Sequence, residues 1–293
     1  MKKMLTVFTP AYNRAYTLHR CYESLLRQTS KEFVWVVIDD GSTDNTKALV
    51  QSWIDENRIE IRYYYQENTG MHGAHNKAYE VIDTELNVCI DSDDYMTDNA
   101  VEIINEYWRE NKSKELAGFG ALNLFENREV IGTRFPETLK SSKYFDIYKL
   151  HKVKGDKKFI YRTELIKQNP YPVFEGEKYV GLDYKYMKLD EHYSLGLINK
   201  SVCVVEYLPD GSSLNMFRQY KNNPKGFAFY RVQNMKNPKG DLKYRFKESI
   251  HYVASSLISK NRKFLKETPC KTLCILALPF GYCFYRYILK KAK

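Results

Sequence analysis

Two acidic clusters, VVIDDGSTD at residues 36–44 and VCIDSDD at residues 88–94, decide the fold of this chain. Each cluster follows a short apolar run that is typical of a buried strand, and each precedes a segment with helical periodicity. Carboxylates at the carboxyl ends of parallel strands meet in the crevice where open α/β sheets bind ligands. Their oxygens suit Mg²⁺ or Mn²⁺ holding a diphosphate, because hard cations prefer oxygen ligands. The two clusters therefore predict a site for a nucleotide-sugar.

Strands and helices alternate regularly around these clusters. The apolar pattern predicts strands at residues 5–9, 33–39, 59–66 and 87–91, with helices at 17–26, 44–57, 72–82 and 97–108. This alternation predicts an α/β fold with a doubly wound, mostly parallel sheet. Beyond residue 115 the pattern is looser, with strands expected at 117–124 and 158–161, a helix at 180–189, and a final strand pair at 195–198 and 202–207.

Charge divides the chain into two parts. The net charge of +10 is the sum of −5 over residues 1–217 and +15 over residues 218–293. The segment DGSS at residues 210–213 is typical of a boundary. We therefore predict a domain at residues 1–210, with a donor half at 1–114 and an acceptor half at 115–210. A basic, helical C-terminal extension at 211–293 would meet an anionic partner.

Residues 273–289 are apolar and aromatic, but they contain Pro279, Gly281 and Arg286. This segment is marginal for spanning, because a bilayer core needs about 20 apolar residues. Flanked by Lys290, Lys291 and Lys293, it favours an in-plane interfacial helix. The alternative is a C-terminal helix packed in the core.

The N-terminus shows no pattern of a signal peptide. The six cysteines form no C-x-x-C pair, which favours free thiols in a reducing compartment and argues against a zinc site. We expect a cytoplasmic protein that binds peripherally to the inner face of the cell membrane.

Five segments carry a resemblance to a known family: FTPAYNR at 8–14, IDDGSTD at 38–44, QENTG at 66–70, HN at 75–76 and DSDD at 91–94. With these segments in this order, residues 3–210 resemble the family 2 glycosyltransferases of the GT-A fold. The resemblance implies an inverting enzyme of the kind that builds capsule, exopolysaccharide or cell-wall glycans in bacteria. It also implies the roles of individual residues that follow.

The resemblance assigns donor binding to the ends of the first two strands. Thr9, Pro10, Ala11 and Tyr12 match the cradle of the nucleotide base, and Arg14 lies in the same segment. Asp40 matches the carboxylate that accepts a hydrogen bond from N3 of uracil, a role that suits an acceptor-only group. The structural alternative for Asp40 is an ordinary turn followed by a helix cap.

The second cluster matches the DxD motif of the family. Asp93 is the first candidate for a metal ligand, and Asp91 and Asp94 would contact the metal or the ribose. Ser92, between Asp91 and Asp93, would also contact the donor. A divalent ion would stabilise charge on the departing nucleoside diphosphate. The alternative is a turn that leads into the next helix.

His75 and Asn76 match positions near which the family often has a basic residue that contacts the diphosphate. Met71, His72 and Lys77 make this stretch divergent, and a lone histidine is more often structural.

A carboxylate must also take the proton of the acceptor hydroxyl. In the family this base is often the Asp of a Glu-Asp pair, and the matching stretch here has Leu182-Asp183. Asp183 is therefore the candidate base, while Glu177, Asp190 and Glu191 remain open.

These inferences predict an enzyme that moves a hexosyl or N-acetylhexosaminyl group from a UDP-sugar to a glycan or polyprenyl-linked oligosaccharide, with Mg²⁺ or Mn²⁺. The basic extension would bind an anionic membrane surface, no nucleic acid is expected as a partner, and a homodimer is left open. One alternative is a nucleotidyltransferase acting on sugar phosphates, although the Gly-rich loop usual after the first strand of such enzymes is missing. The other is a non-enzymatic nucleic-acid-binding protein acting through the basic tail, where aromatic and basic residues interleave.

Overall fold

Nine strands in the described part of the chain form one mixed sheet. The computed structural model describes residues 3–206 and 215–292. In chain order the strands are β1 (Leu5–Ala11), β2 (Phe33–Asp39), β3 (Ile61–Tyr65), β4 (Leu86–Cys89), β5 (Tyr95–Met96), β6 (Leu116–Leu124), β7 (Ser141–Ser142), β8 (Lys157–Arg162) and β9 (Ser194–Val204).

The strand order is β3-β2-β1-β4-β8-β6-β9-β5, and β7 pairs with β9. Strands β1 to β4 pair in parallel, and β8 runs antiparallel to both β4 and β6. Because β9 is parallel to β6, the strands β1, β2, β3, β4, β6 and β9 all point the same way. The predicted α/β class with a mostly parallel, doubly wound sheet is confirmed.

The helices lie between and after these strands. They are α1 (Ala15–Leu26), α2 (Thr46–Glu56), α3 (Met71–Val81), α4 (Ala100–Asn111), α5 (Tyr144–Lys149), α6 (Thr163–Ile166), α7 (Asp183–Leu189), α8 (Met216–Asn222), α9 (Pro224–Lys236), α10 (Leu242–Ile258), α11 (Phe264–Glu267), α12 (Lys271–Leu276) and α13 (Leu278–Lys291).

Strand β2 shows why the sequence forms this sheet. All seven of its residues are buried, as expected for a strand covered on both faces. Trp35 joins the main core, where Tyr22 of α1 stacks on Trp53 of α2 with ring centroids 4.3 Å apart. Helix α4 adds Ile104 and Trp108 to the same cluster. The four parallel strands are thereby fixed in register, and their carboxyl ends lie at one edge of the sheet.

The described residues form two compact units. The first contains the sheet and comprises residues 3–68, 74–170 and 185–206. The second comprises residues 69–73, 171–184 and 215–292. The predicted boundary at residues 210–213 lies outside the described residues, so the division at residue 210 remains a prediction.

Helix α10 is central to the helical part of the second unit. Tyr252 and Val253 pack with Cys274 and Ala277 in one apolar cluster. Helix α13 approaches closely at Gly281, where an added Cβ would lie 2.5 Å from Cγ1 of Val253. A larger residue at this position would push the two helices apart.

The predicted C-terminal apolar helix is divided in two. Helix α12 ends at Leu276 and α13 begins at Leu278, with Pro279 in its first turn. Pro is tolerated there because a first-turn N–H has no partner within the helix. Among residues 3–206 and 215–292, no helix has both the length and the apolarity needed to cross a bilayer.

One predicted feature of the sheet is wrong. The strand pair expected at 195–198 and 202–207 is one strand, β9, as far as the described residues extend. Its register with β6 shifts between Leu197, which faces Gly120, and Ser201, which faces Leu122. This bulge accommodates the polar residues Asn199 and Lys200, whose polarity suggested a turn.

Candidate active site

The end of β1 forms one wall of the site. Thr9 and Ala11 are buried, Pro10 is half-buried, and the ring of Tyr12 is 48% exposed. The hydroxyl of Thr9 accepts a hydrogen bond from Nε1 of Trp35 at 3.0 Å. The core therefore fixes the strand end while it leaves Tyr12 at the surface.

Asn13 ties the end of β1 to the loop after β2. Its side-chain oxygen accepts hydrogen bonds from the backbone nitrogens of Thr43 at 2.8 Å and Asp44 at 3.3 Å. Its own backbone nitrogen donates to Oγ of Ser42 at 2.9 Å. Asn13 adopts φ of 53°, a left-handed conformation that Asn tolerates better than most residues. Arg14 follows and donates to the hydroxyl of Tyr16 at 2.5 Å.

Asp40 is buried at the end of β2, with 3% of its surface exposed. Its backbone nitrogen donates to the carbonyl of Ala11 at 2.8 Å, so the backbone of Asp40 lies beside the end of β1. The side-chain amide of Gln66 donates to Oδ1 of Asp40 at 2.6 Å. Gly41 follows with φ of +82°, and an added Cβ would lie 2.8 Å from the backbone nitrogen of Asn68. The turn after Asp40 thus requires glycine.

Asp39, the neighbour of Asp40, has a structural role. It accepts hydrogen bonds from the backbone nitrogen of Ser42 at 2.8 Å and from the hydroxyl of Tyr63 at 2.5 Å. Burial and the hydrogen bond to Asp39 raise the pKa of Tyr63. The two adjacent acids therefore differ: Asp39 holds the loop, whereas the carboxylate of Asp40 accepts from the side chain of Gln66.

The second acidic cluster begins one strand away on the other side of β1. Cys89 pairs with Phe8, and the backbone nitrogen of Ile90 donates to the carbonyl of Phe8 at 3.0 Å. Asp91 follows immediately and is half-buried, as is Asp93, whereas Ser92 is buried. The sheet therefore brings the two acidic clusters to the carboxyl ends of β2 and β4, the two strands that flank β1.

Asp94 is held by the protein itself. It is 3% exposed, and its carboxylate lies 3.7 Å from Nζ of Lys158. It also accepts a hydrogen bond from the backbone nitrogen of Glu206 at 3.2 Å. Burial alone would lower the pKa of Lys158, but Cys203, Asp94 and other acidic neighbours raise it well above its ordinary value. Lys158 is a functional residue that the motifs do not reveal; its one signal in the sequence is a charge within a partly apolar strand.

These residues fit a divalent ion only if the ligand supplies oxygens as well. No group of three or more His, Cys, Asp or Glu residues in the described ranges could hold a metal ion by itself. Asp91 and Asp93 are both half-buried and offer hard oxygen donors. Mg²⁺ typically takes one or two carboxylates together with substrate phosphates and water. The donor set is therefore compatible with an ion shared with a diphosphate.

His75 is buried on α3 and reaches the acidic cluster indirectly. Its Nδ1 lies 3.2 Å from the hydroxyl of Tyr79, and its Nε2 lies 3.6 Å from Sγ of Cys89. Cys89 in turn lies 3.7 Å from Oδ1 of Asp91. Asn76 is half-buried on the same helix. Contact of His75 and Asn76 with a diphosphate remains a prediction.

Asp183 belongs to the second unit and is half-buried at the start of α7. Its Oδ2 accepts a hydrogen bond from the hydroxyl of Tyr230 at 2.5 Å. Burial raises the pKa of Asp183, although Tyr230 and Arg231 oppose this shift. A carboxylate with a raised pKa is a stronger base than an exposed one.

Of the three other acids left open as bases, Glu191 pairs with Lys188 at 2.8 Å at the surface, and the remaining two lie at helix ends. Glu177 is 8% exposed, and its two oxygens accept from the backbone nitrogens of Lys225 and Gly226 at 2.9 and 2.8 Å. Asp190 accepts from the backbone nitrogens of Tyr144 and Phe145 at 2.6 and 2.7 Å. Both acids therefore cap helices.

Chondroitin synthase from Escherichia coli is 33% identical over 110 residues, which are 38% of this chain and 16% of that protein. The chain thus spans a minor part of this relative.

Two solved structures share the fold. S. aureus TarS 1–349 in complex with UDP-GlcNAc has a TM-score of 0.65 at 18% identity, covering 97% of this chain and 90% of that one. The mannosyltransferase PcManGT from Pyrobaculum calidifontis, in complex with GDP-Man and Mn²⁺, has a TM-score of 0.56 at 15% identity, covering 97% and 87%. At these identities the likeness shows the GT-A fold alone.

The profile of glycosyl transferase family 2 matches residues 6–168, more than half of the 293 residues and the region that contains both acidic clusters. The chain therefore belongs to glycosyl transferase family 2.

Proposed function

We propose that the chain is an inverting glycosyltransferase that moves a hexosyl or N-acetylhexosaminyl group from a UDP-sugar to a glycan acceptor. The observation that carries this proposal is the position of Asp40 beside Ala11, with Asp91 on the opposite side of β1. Asp40 and the end of β1 would hold the base, and Asp91 and Asp93 would face the diphosphate. The TarS complex with UDP-GlcNAc, on the same fold, supports UDP as the nucleotide.

A Mg²⁺ or Mn²⁺ ion, when bound by Asp91 and Asp93, would stabilise negative charge on the leaving diphosphate. The Mn²⁺ in the PcManGT complex supports a divalent ion in this fold. Asp94 is better assigned to holding the cluster, because Lys158 and the backbone of Glu206 already occupy its carboxylate.

Asp183 is our proposed base. Its carboxylate would take the proton of an acceptor hydroxyl, and the resulting oxygen nucleophile would attack the anomeric carbon opposite the departing UDP. This in-line attack inverts the configuration of the anomeric carbon. Among the acids considered for this role, Glu177 and Asp190 are engaged at helix ends, which supports Asp183.

The acceptor is proposed to be a polyprenyl-linked oligosaccharide in polysaccharide synthesis, presented at an anionic membrane surface. Helices α12 and α13 expose large apolar residues, with Leu276 59%, Phe280 56% and Tyr282 50% exposed. Lys290 and Lys291 lie in the last turn of α13. An apolar face next to basic residues is the pattern of a helix that lies in the interface of an anionic bilayer.

A donor screen tests the catalytic proposal. The full chain would be supplied with UDP-glucose, UDP-galactose, UDP-GlcNAc or UDP-GalNAc, together with membrane-extracted lipid-linked glycans and Mn²⁺. Release of UDP that depends on the glycans is the expected result. GDP-mannose is the matched control for the nucleotide, and transfer from GDP-mannose alone would contradict the assignment of UDP.

A further inference from the structure

Tyr230 lies on α9, in the helical part of the second unit, and contacts the segment that carries Asp183. Its hydroxyl donates to Oδ2 of Asp183 at 2.5 Å. Its ring packs against Gly181, where an added Cβ would lie 3.1 Å from Cδ2 of Tyr230. The ring and the hydroxyl therefore contact positions 181 and 183 together.

The same helix binds this segment at a second place. The carboxylate of Glu177 accepts from the backbone nitrogens of Lys225 and Gly226 at the start of α9. Oδ1 of Asn223 accepts from the backbone nitrogen of Lys178 at 2.6 Å. Residues 177–183 are thus fastened both at the N-terminus of α9 and more than one turn along it.

A buried ion pair next to Tyr230 joins α9 to α10. Arg231 lies with Cζ 5.0 Å from the ring centroid of Tyr230 and donates to Oε2 of Glu248 at 2.9 Å. Asn234 donates to the same oxygen at 2.9 Å. Glu248 is 3% exposed, so a buried polar network joins α9 and α10, although Nε of Arg231 and Oδ1 of Asn234 have no hydrogen-bond partner among the described residues. The two charge-assisted hydrogen bonds to Glu248 restrict the orientation of Arg231 and Asn234 beside Tyr230.

We propose that Tyr230 is a positioning residue for the base of the transfer reaction, holding the Asp183 carboxylate in one orientation through its hydroxyl. This inference rests on the proposed role of Asp183. It assigns to the C-terminal helices a part in the chemistry, in addition to any part in membrane binding. A tyrosine at this place also stabilises the charged form of Asp183, because a hydrogen bond to the charged form favours it.

Several charged or titratable groups act on Asp183 from the elements around it. They are Tyr179 on its own segment, Tyr230 and Arg231 on α9, and Tyr244 and Glu248 on α10. Removal of the Tyr230 hydroxyl leaves the other four in place. Its effect on Asp183 can therefore be measured separately.

The test measures the pKa of Asp183 by NMR and the pH dependence of enzyme activity. Protein labelled with ¹³Cγ-aspartate is titrated by NMR, with Asp183→Asn to assign the resonance. Tyr230→Phe should raise the pKa of Asp183 by about one unit, because the charged form loses a hydrogen bond that water replaces only in part. The acidic limb of kcat/KM for UDP release from UDP-GlcNAc should move by the same amount, with the donor KM unchanged.

Tyr252→Phe is the matched control. Tyr252 is a buried tyrosine of the same unit, and its hydroxyl donates to the carbonyl of Phe264 at 2.9 Å. Its removal should move neither the titration nor the pH profile. If Tyr230→Phe fails to fold, 3-fluorotyrosine at position 230 serves instead: as a stronger donor it should lower the pKa of Asp183.

The outcomes separate the two proposals. An unshifted titration in Tyr230→Phe, with Asp183→Asn inactive, overturns the positioning role alone. Full activity of Asp183→Asn overturns the base assignment and the positioning role with it. A shifted titration together with a shifted pH profile supports both.

Discussion

Lys158 on β8 lies 3.7 Å from the carboxylate of Asp94, and the two side chains are 12% and 4% exposed. This ion pair occupies the carboxylate of Asp94, whereas Asp91 and Asp93 at the same strand end are half-buried. This difference gives each acid of the cluster a distinct expected phenotype.

Asp94→Asn and Lys158→Met should each lower the free energy of unfolding by about 3–5 kcal/mol, because removal of one partner leaves the other charge buried and unpaired. The double variant should lose less than the sum of the two, since neither charge remains. Urea unfolding of the three variants measures this. Losses that simply add would show that the two residues do not interact.

Asp93→Asn should abolish most turnover while the free energy of unfolding stays close to that of the parent protein, because this half-buried acid is assigned to the ion and not to the core. EDTA should remove activity, and Mn²⁺ or Mg²⁺ should restore it. Asp98→Asn, an exposed acid that pairs with Arg27 at 3.1 Å, is the control. Full turnover in excess EDTA would exclude the metal from the reaction.

Asp40→Ala should weaken UDP binding by about 1.5–3 kcal/mol, the range for a hydrogen bond to a charged group. Calorimetry with UDP measures this, and GDP gives the comparison between nucleotides. Asp55→Ala on α2 should leave the affinity unchanged, because Asp55 is exposed and accepts only from Gln51 in the contacts described. Equal affinity of the Asp40 variant and the parent would return Asp40 to the role of a turn residue.

Asp183→Asn should lower kcat about 10²–10⁴-fold with donor affinity nearly intact, as expected for loss of a general base. Burial raises the pKa of Asp183, so its active, ionised form is lost already at a pH above the usual range for Asp as the solution is acidified. The acidic limb of the pH profile should therefore lie above that of an exposed aspartate and should vanish in the variant.

Glu177→Gln is the companion to Asp183→Asn. It should destabilise the protein, because one oxygen that accepts from the start of α9 becomes an amide nitrogen. Its effect on kcat of the folded enzyme should be small. The opposite result, with Glu177→Gln inactive and Asp183→Asn active, would move the base to position 177.

The full chain should sediment with vesicles that contain anionic lipid and should bind them more weakly in high salt. Lys290→Glu with Lys291→Glu should weaken binding about tenfold or more, since each basic residue near the surface contributes about 1 kcal/mol. Leu276→Ser with Phe280→Ser should remove the binding that survives salt.

Leu150→Ser, which changes a 67% exposed leucine of the first unit, is the control. Retention in the supernatant at low salt would contradict the membrane proposal, and binding of a single-stranded oligonucleotide instead would favour a nucleic-acid partner.

Much of the first unit could be predicted because its strands are short, apolar and separated by helices of clear periodicity. The run 33–39 corresponds to β2 without error, and the predicted strands at 5–9, 59–66 and 87–91 differ from β1, β3 and β4 by about two residues at their ends. The second half was less predictable, because its strands depend on tertiary contacts. The two-residue strand β7 carries no pattern of its own, and the bulge in β9 resembles a turn.

The helices beyond residue 214 show the same limit. The composition of residues 222–226, rich in Asn, Pro, Lys and Gly, is typical of a loop, yet Pro224 begins α9 and Gly226 lies within it. The start of this helix depends on a distant residue, because the carboxylate of Glu177 accepts hydrogen bonds from its first backbone nitrogens. A partner 48 residues away in sequence cannot be inferred from local composition.

The attachment of residues 177–183 to α9 has a consequence for engineered chimeras. A graft that exchanges the segment around Asp183 between two members of the family, but leaves the recipient's own helix in place, would separate Glu177 and Asp183 from the groups that complement them. The exchangeable module is therefore discontinuous in sequence, and a productive swap needs two inserts, one from each side of the intervening strand β9.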